Sequence, residues 1–254
     1  TITVFDYGRT ETGGLYMVTE FVEGTNLLDF LGTHGALEPA RATRMILGVL
    51  YSLEEAHDRG ILHRDIKPAN VMVFELRGRP DQVKLLDFGI AKAFEDADSA
   101  SSMGVALTGQ GRVVGSPGYM SPEQIRGDAL APRSDLYSVG LVFFEMLTGK
   151  RAIVEDDLRA AFRQMDEFPI SLPPELELPD ALRQTVDRMI RKGYDERFQS
   201  ADQLIAVLSP FAREAGPQAV ATTAPPAAPK NYLPLTIAAL VVAAIAAAAF
   251  LSTV

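Results

Sequence analysis

The composition of the chain breaks twice, and those breaks limit what it can fold into. Of its 254 residues, those from Thr1 to about Ala215 mix apolar, charged and turn-forming side chains as a folded domain does. Residues 216–232 read GPQAVATTAPPAAPKNY, where Pro and Ala dominate and no apolar period survives. Such a stretch is expected to be a semi-extended linker. Residues 233–254, LPLTIAALVVAAIAAAAFLSTV, carry no charged side chain. A run of that length suffices to cross a bilayer as a helix. Its C-terminal position excludes a signal peptide. An Ala-rich soluble helix is the competing reading, but no polar face is left for water to meet. Arg213 and Lys230 precede the run and no positive charge follows it. The positive-inside rule then leaves the larger domain in the cytoplasm, held at the cell membrane by a single pass.

Composition removes several function classes. A hydrophobic fraction of 47% with 22% charged residues rules out wholesale disorder. The absence of Cys excludes disulfides, thiolate zinc sites and Cys nucleophiles, and three His (His34, His57, His63) are too few for a His-rich metal site. A net charge of -9 argues against a nucleic-acid-binding face. It does not oppose a nucleotide held through Mg²⁺ by carboxylates.

The front of the chain is strand-like. TITVFDYG and GLYMVTEFVEG are apolar or alternating, and residues 10–14 between them supply hairpin turn chemistry. From Glu38 to Asp58, Met45, Val49 and Leu53 recur every four residues with Ile46 and Leu50 beside them, which predicts one buried helical stripe. Short strands are expected at Val71–Phe74 and Val83–Leu86. A helix apolar nearly throughout is expected from Ser134, as its cap, to Leu147. Further helices fit 155–165, 179–192 and 200–214, and no internal repeat is visible.

The chemistry concentrates in His63-Arg64-Asp65-Ile66-Lys67-Pro68-Ala69-Asn70, followed by Asp87-Phe88-Gly89. Taken singly, an Asp is usually a solvated group or a helix cap, and Asp-Phe-Gly a turn. Together they offer what phosphoryl transfer needs: a group to orient a hydroxyl, and cations to offset charge on the phosphate oxygens. Asp65 suits the first role. Asn70 and Asp87 offer hard oxygen ligands for Mg²⁺, and Lys67 a point charge.

On these motifs, in this order and spacing, the chain resembles the eukaryotic-type Ser/Thr protein kinases, most closely the bacterial membrane-anchored ones. The likeness covers Thr1 to about Phe211. It implies Asp65 and Lys67 as catalytic residues, Asn70 and Asp87 as metal ligands, and His63, Arg64, Phe88 and Gly89 as supports. The cofactors implied are ATP and Mg²⁺, with Mn²⁺ as a possible substitute. In Val18-Thr19-Glu20-Phe21-Val22 it implies the hinge, with Thr19 as gatekeeper and Glu20 and Val22 offering backbone groups to adenine; Met72 would pack under the base. The run Gly115-Ser116-Pro117-Gly118-Tyr119-Met120-Ser121-Pro122-Glu123 resembles the end of an activation segment. Glu123 would pair with Arg197, and Asp135 would brace the catalytic-loop backbone. Arg64 before Asp65 implies a switch by phosphate on Ser99, Ser101, Ser102, Thr108 or Ser116, with Thr108 favoured by position.

The Gly-rich loop, strand Lys and helix Glu of the family would precede Thr1. Neither residues 109–115 nor Lys84 or Lys92 has the spacing to replace them. The expected class is therefore α+β: a protein-kinase-like fold, mainly the helical large lobe with a partial small-lobe sheet, plus a C-terminal transmembrane helix. The boundaries are 1–25 for the small-lobe fragment and hinge, 26–215 for the large lobe, 216–232 for the linker and 233–254 for the span. The expected partners are protein substrates with Ser or Thr acceptors, membrane lipid and a possible second copy of the chain, with no nucleic acid. Weak or absent catalysis by this polypeptide is expected, although the intact Asp65, Asn70 and Asp87 set argues for an active parent. The alternatives are a membrane-tethered pseudokinase serving as a scaffold and, less favoured, a small-molecule kinase of related fold.

Overall fold

The computed structural model describes residues 1–12, 14–88, 116–155, 157–167 and 169–212. The expected span, Gly89, and Ser99, Ser101, Ser102 and Thr108 lie outside them. Among the described residues no helix is long and apolar enough to cross a membrane.

Two small sheets precede a helical body. Strands β1 (Val4–Arg9) and β2 (Leu15–Thr19) form an antiparallel hairpin, with Tyr7 opposite Met17 and Gly8 opposite Tyr16. Residues 20–23 then lead into a three-stranded antiparallel sheet of order β3 (Gly24–Asn26), β4 (Val71–Leu76), β5 (Arg79–Leu85). Gly24 is required where it stands, because a Cβ there would collide with the Val73 carbonyl across the β3–β4 ladder. Arg77 and Gly78 close the β4–β5 hairpin, both at positive φ (51° and 75°), as a two-residue turn demands. Residues Ile2 and Thr3 reach from one sheet to the other: Ile2 N donates to Leu85 O at 3.1 Å, and Thr3 N to Glu20 Oε1 at 2.8 Å.

Seven helices are described: α1 (Leu27–His34), α2 (Pro39–His57), α3 (Pro122–Arg126), α4 (Pro132–Thr148), α5 (Leu158–Glu167), α6 (Asp180–Met189) and α7 (Ala201–Leu208). Helix α2 begins where the Glu38 carboxylate accepts from Ala40 N and Arg41 N, with Pro39 in the first turn. Its expected stripe is the core: Met45, Ile46, Val49, Leu50 and Leu53 are each at most 2% exposed. Burying each such side chain contributes about 1.5–3 kcal/mol. Helix α4 is buried without interruption from Ser134 to Leu147, which explains its apolar sequence on all sides. Helix α2 packs on α4, α7 and β5, and α4 packs on α6.

Some boundaries differ from expectation for identifiable reasons. Helix α4 starts two residues early because Pro132 is pre-organised for the first turn. Ser134 is therefore inside the helix, its Oγ accepting from Ala131 N at 3.4 Å rather than capping from outside. Helix α7 stops at Leu208 instead of running to 214, since Pro210 has no N–H to continue it.

Candidate active site

The chain from α2 to β4 carries the His63–Asn70 motif, and one buried carboxylate organises it. Asp135, in the first turn of α4, is 3% exposed. Its Oδ2 accepts from His63 N and its Oδ1 from Arg64 N, both at 2.9 Å. His57 Nε2, at the end of α2, lies 2.8 Å from the same Oδ2. Arg64 stands at φ 66°, a left-handed conformation that a non-glycine residue holds only where its surroundings impose it.

Asp65 follows, half-buried. Its Oδ2 receives Lys67 Nζ at 2.8 Å and Asn70 Nδ2 at 3.1 Å. Asn70 Nδ2 also donates to Asp65 O at 2.8 Å, so the amide's acceptor oxygen is left for another partner. The second motif is tied to the first through Leu86. Leu86 N donates to Asn70 O at 2.8 Å, and His63 Nε2 donates to Leu86 O at 2.7 Å. His63 Nδ1 in turn accepts from Asp65 N at 3.3 Å. The imidazole is thus fixed in its neutral Nε2–H form, and burial pulls its pKa below the usual 6.5. The Phe88 ring rests 4.8 Å from it. Asp87, next to Leu86, is exposed and also left-handed, at φ 51°.

Among the described residues no cluster of three or more His, Asp or Glu side chains could hold a metal alone. The Asn70 amide and Asp87 carboxylate still fit Mg²⁺, which takes hard oxygens and commonly one or two protein ligands beside substrate phosphates and water.

The expected adenine-side residues, Thr19, Glu20, Val22 and Met72, are all half-buried. Thr19 ends β2, and Met72 lies on β4 between Asn26 and Lys84. The Glu20 carboxylate receives Lys84 Nζ at 2.6 Å as well as Thr3 N. The Lys84 hydrogen bond, with help from Thr3, holds its pKa at about 2.

The end of the expected activation segment forms a second cluster. Half-buried Ser116 precedes the turn Pro117–Tyr119. Tyr119 OH donates to Glu145 Oε2 at 2.5 Å, and Ser138 Oγ to Tyr119 O at 2.7 Å. Arg197 meets Glu123 in a bidentate pair at 2.7 and 3.0 Å, with side chains 0% and 3% exposed. Arg197 also donates to the carbonyls of Arg191 and Lys192. Burial works to raise the Glu123 pKa, but Arg197 outweighs it and leaves it lowered.

Two residues were missed in the sequence. His57 lies 78 positions from the carboxylate it meets, with no local signal. Gln124 had one: Ser121-Pro122-Glu123-Gln124 is a capping box, and both of its reciprocal bonds are present. Gln124 Nε2 also donates to Arg64 O at 2.8 Å.

Comparison with known proteins agrees with this geometry. Residues 2–207 match the family model described as the protein kinase domain. The chain is 39% identical over 219 residues to the serine/threonine-protein kinase pkn3 of Myxococcus xanthus, covering 84% of this chain and 39% of that protein. It is 37% identical over 214 residues to the serine/threonine-protein kinase PknB of Mycolicibacterium smegmatis, covering 82% of this chain and 32% of that one. It therefore spans about a third of the length of these relatives. A match over most of the chain, joined to a first motif held by the buried Asp135 carboxylate and tied to the second through Leu86, is decisive: the chain belongs to the protein kinase domain family.

Proposed function

We propose that the chain is the catalytic portion of a Ser/Thr protein kinase, which transfers the γ-phosphate of ATP to Ser or Thr hydroxyls of protein substrates. The observation that carries this reading is the constraint on Asp65. Lys67 and Asn70 both engage its Oδ2, which leaves Oδ1 to orient a substrate hydroxyl and accept its proton. Lys67 places a positive charge beside the transferring group. Asn70 and Asp87 would hold Mg²⁺, or Mn²⁺ in its place, which when bound offsets the charge of the phosphate oxygens. Thr19, Glu20, Val22 and Met72 would border the adenine. The names of the relatives support the Ser/Thr class.

In the same reading, 1–25 is a small-lobe fragment with the hinge and 26–215 the large lobe. Residues 216–232 are a linker to a membrane span at 233–254, and the Ser and Thr residues of the activation segment are regulatory acceptors. The test is transfer of radiolabelled γ-phosphate to a generic basic protein by the full chain in lipid vesicles. Asp65→Asn and Asp87→Asn should each lower the Mg²⁺-dependent rate by about 10² or more. A folded chain that binds ATP but transfers nothing, even with a Gly-rich loop and strand Lys supplied ahead of Thr1, would favour the scaffold reading instead.

A further inference from the structure

The peptide unit joining Arg64 to Asp65 is held at both of its polar atoms. Its N–H, from Asp65, donates to His63 Nδ1, and its carbonyl, from Arg64, accepts from Gln124 Nε2 at 2.8 Å. The N–H of Arg64 itself is taken by Asp135. This peptide follows a residue in the left-handed region, where an unsupported backbone relaxes away. Gln124 is 60 residues distant and belongs to a different element, the first turn of α3. Its other amide atom, Oε1, accepts from Ser121 N at 2.9 Å, and its backbone N–H donates to Ser121 Oγ. One planar amide therefore touches the loop carrying Asp65 with its nitrogen and the end of the 116–121 segment with its oxygen.

We propose that Gln124 is a positioning residue for phosphotransfer: it clamps the Arg64 carbonyl, fixes the peptide plane from which Asp65 projects, and ties that plane to the segment ending at Ser121. A Gln is suited to this because it offers a donor and an acceptor on one rigid plane. Glu at the same position keeps the acceptor for Ser121 N, and with it the capping box, but presents a second oxygen to the Arg64 carbonyl. Gln124→Glu thus removes the clamp and keeps the cap. Ser121→Ala does the reverse, removing the hydroxyl that caps α3 while leaving the Gln124 amide in place.

The inference rests on the reading of Asp65 as the phosphotransfer residue, so the experiment has two arms. The first is backbone hydrogen exchange in the full chain, comparing residues 63–67 with the buried helix α4. Gln124→Glu should speed exchange at 63–67 about three- to tenfold while α4 is unchanged, and Ser121→Ala should leave 63–67 as in the parent. The second arm is phosphotransfer, where Gln124→Glu should lower kcat about tenfold with KM for ATP within about twofold of the parent. Unchanged exchange at 63–67 overturns the proposal. So does a uniform rise in exchange that includes α4, since that makes Gln124 merely structural. Should Gln124→Glu not fold, Gln124→Met replaces it and is judged by the same two readouts. A chain that transfers no phosphate even with a Gly-rich loop and strand Lys supplied ahead of Thr1 overturns the functional reading, while the exchange arm still decides whether the clamp exists.

Discussion

At the scale of single residues, one buried charge supports one strained stretch of backbone. The Asp135 carboxylate satisfies two N–H groups beside a strained residue, so Asp135→Ala leaves buried donors without partners. The expected cost is about 2–4 kcal/mol, read as a lower urea midpoint with an unchanged slope. The Glu123–Arg197 pair is as deeply buried, and its two halves are unequal to its whole. Glu123→Ala alone strands a guanidinium that is 0% exposed and should cost about 3–5 kcal/mol. The pair of changes Glu123→Leu with Arg197→Met should cost less than either Ala variant by itself. A double-mutant cycle in urea checks this, and additive losses would show that the two side chains do not act as a pair. Both carboxylates were legible in the sequence, though only through the ordered motifs around them. His57 was not, because nothing in residues 50–60 distinguishes a His facing a carboxylate on another helix from one facing water.

At the scale of elements, the hydrophobic period reports long elements well and short ones poorly. The stripe on α2 and the uninterrupted apolar run of α4 are core because they are helical and central. Helices α1 and α3 escaped notice, since eight and five residues are too few to display a period. The hairpin β1–β2 was legible from its turn, but its energetics were not. Among the residues whose burial is described, every buried apolar one lies at Leu27 or later, while Phe5, Tyr7 and Val18 are 67%, 59% and 46% exposed. A two-stranded hairpin without a packed face is marginal. Amides of β1 and β2 should therefore exchange through local opening, at least about 10² faster than those of α4 in native-state hydrogen exchange. Equal protection in the two would mean that the hairpin opens only with the whole domain. Gly24 marks where the hairpin hands over to the second sheet. Gly24→Ala should push β3 off β4 at a cost of about 1–3 kcal/mol, visible as lost protection at Val73 and Phe74.

At the scale of the whole molecule, the titrating groups set the direction of pH dependence. His63 has its pKa lowered by burial, so its contribution to stability is complete above 6.5 and is lost as pH falls below that value. Glu20, held at about 2 by Lys84, and Glu123, lowered by Arg197 against its burial, add losses below 4.5. Glu145 runs the other way: burial raises its pKa, so its contribution is lost as pH rises above 4.5. His63 and the lowered carboxylates together weaken the domain on acidification in two stages, the His63 stage beginning near 6.5. A series of melting temperatures between pH 8 and pH 4 checks it, and His63→Phe should remove the first stage. The same two acidic motifs have a consequence for directed evolution. Outside the β4–β5 hairpin, the described non-glycine residues with left-handed backbone are Arg64 and Asp87, one in each motif. Glycine is the residue most at ease in that conformation. A library of this domain sorted on heat resistance alone should accumulate glycine at Asp87, and on the proposed function its most robust survivors would be the ones that have given up a metal ligand.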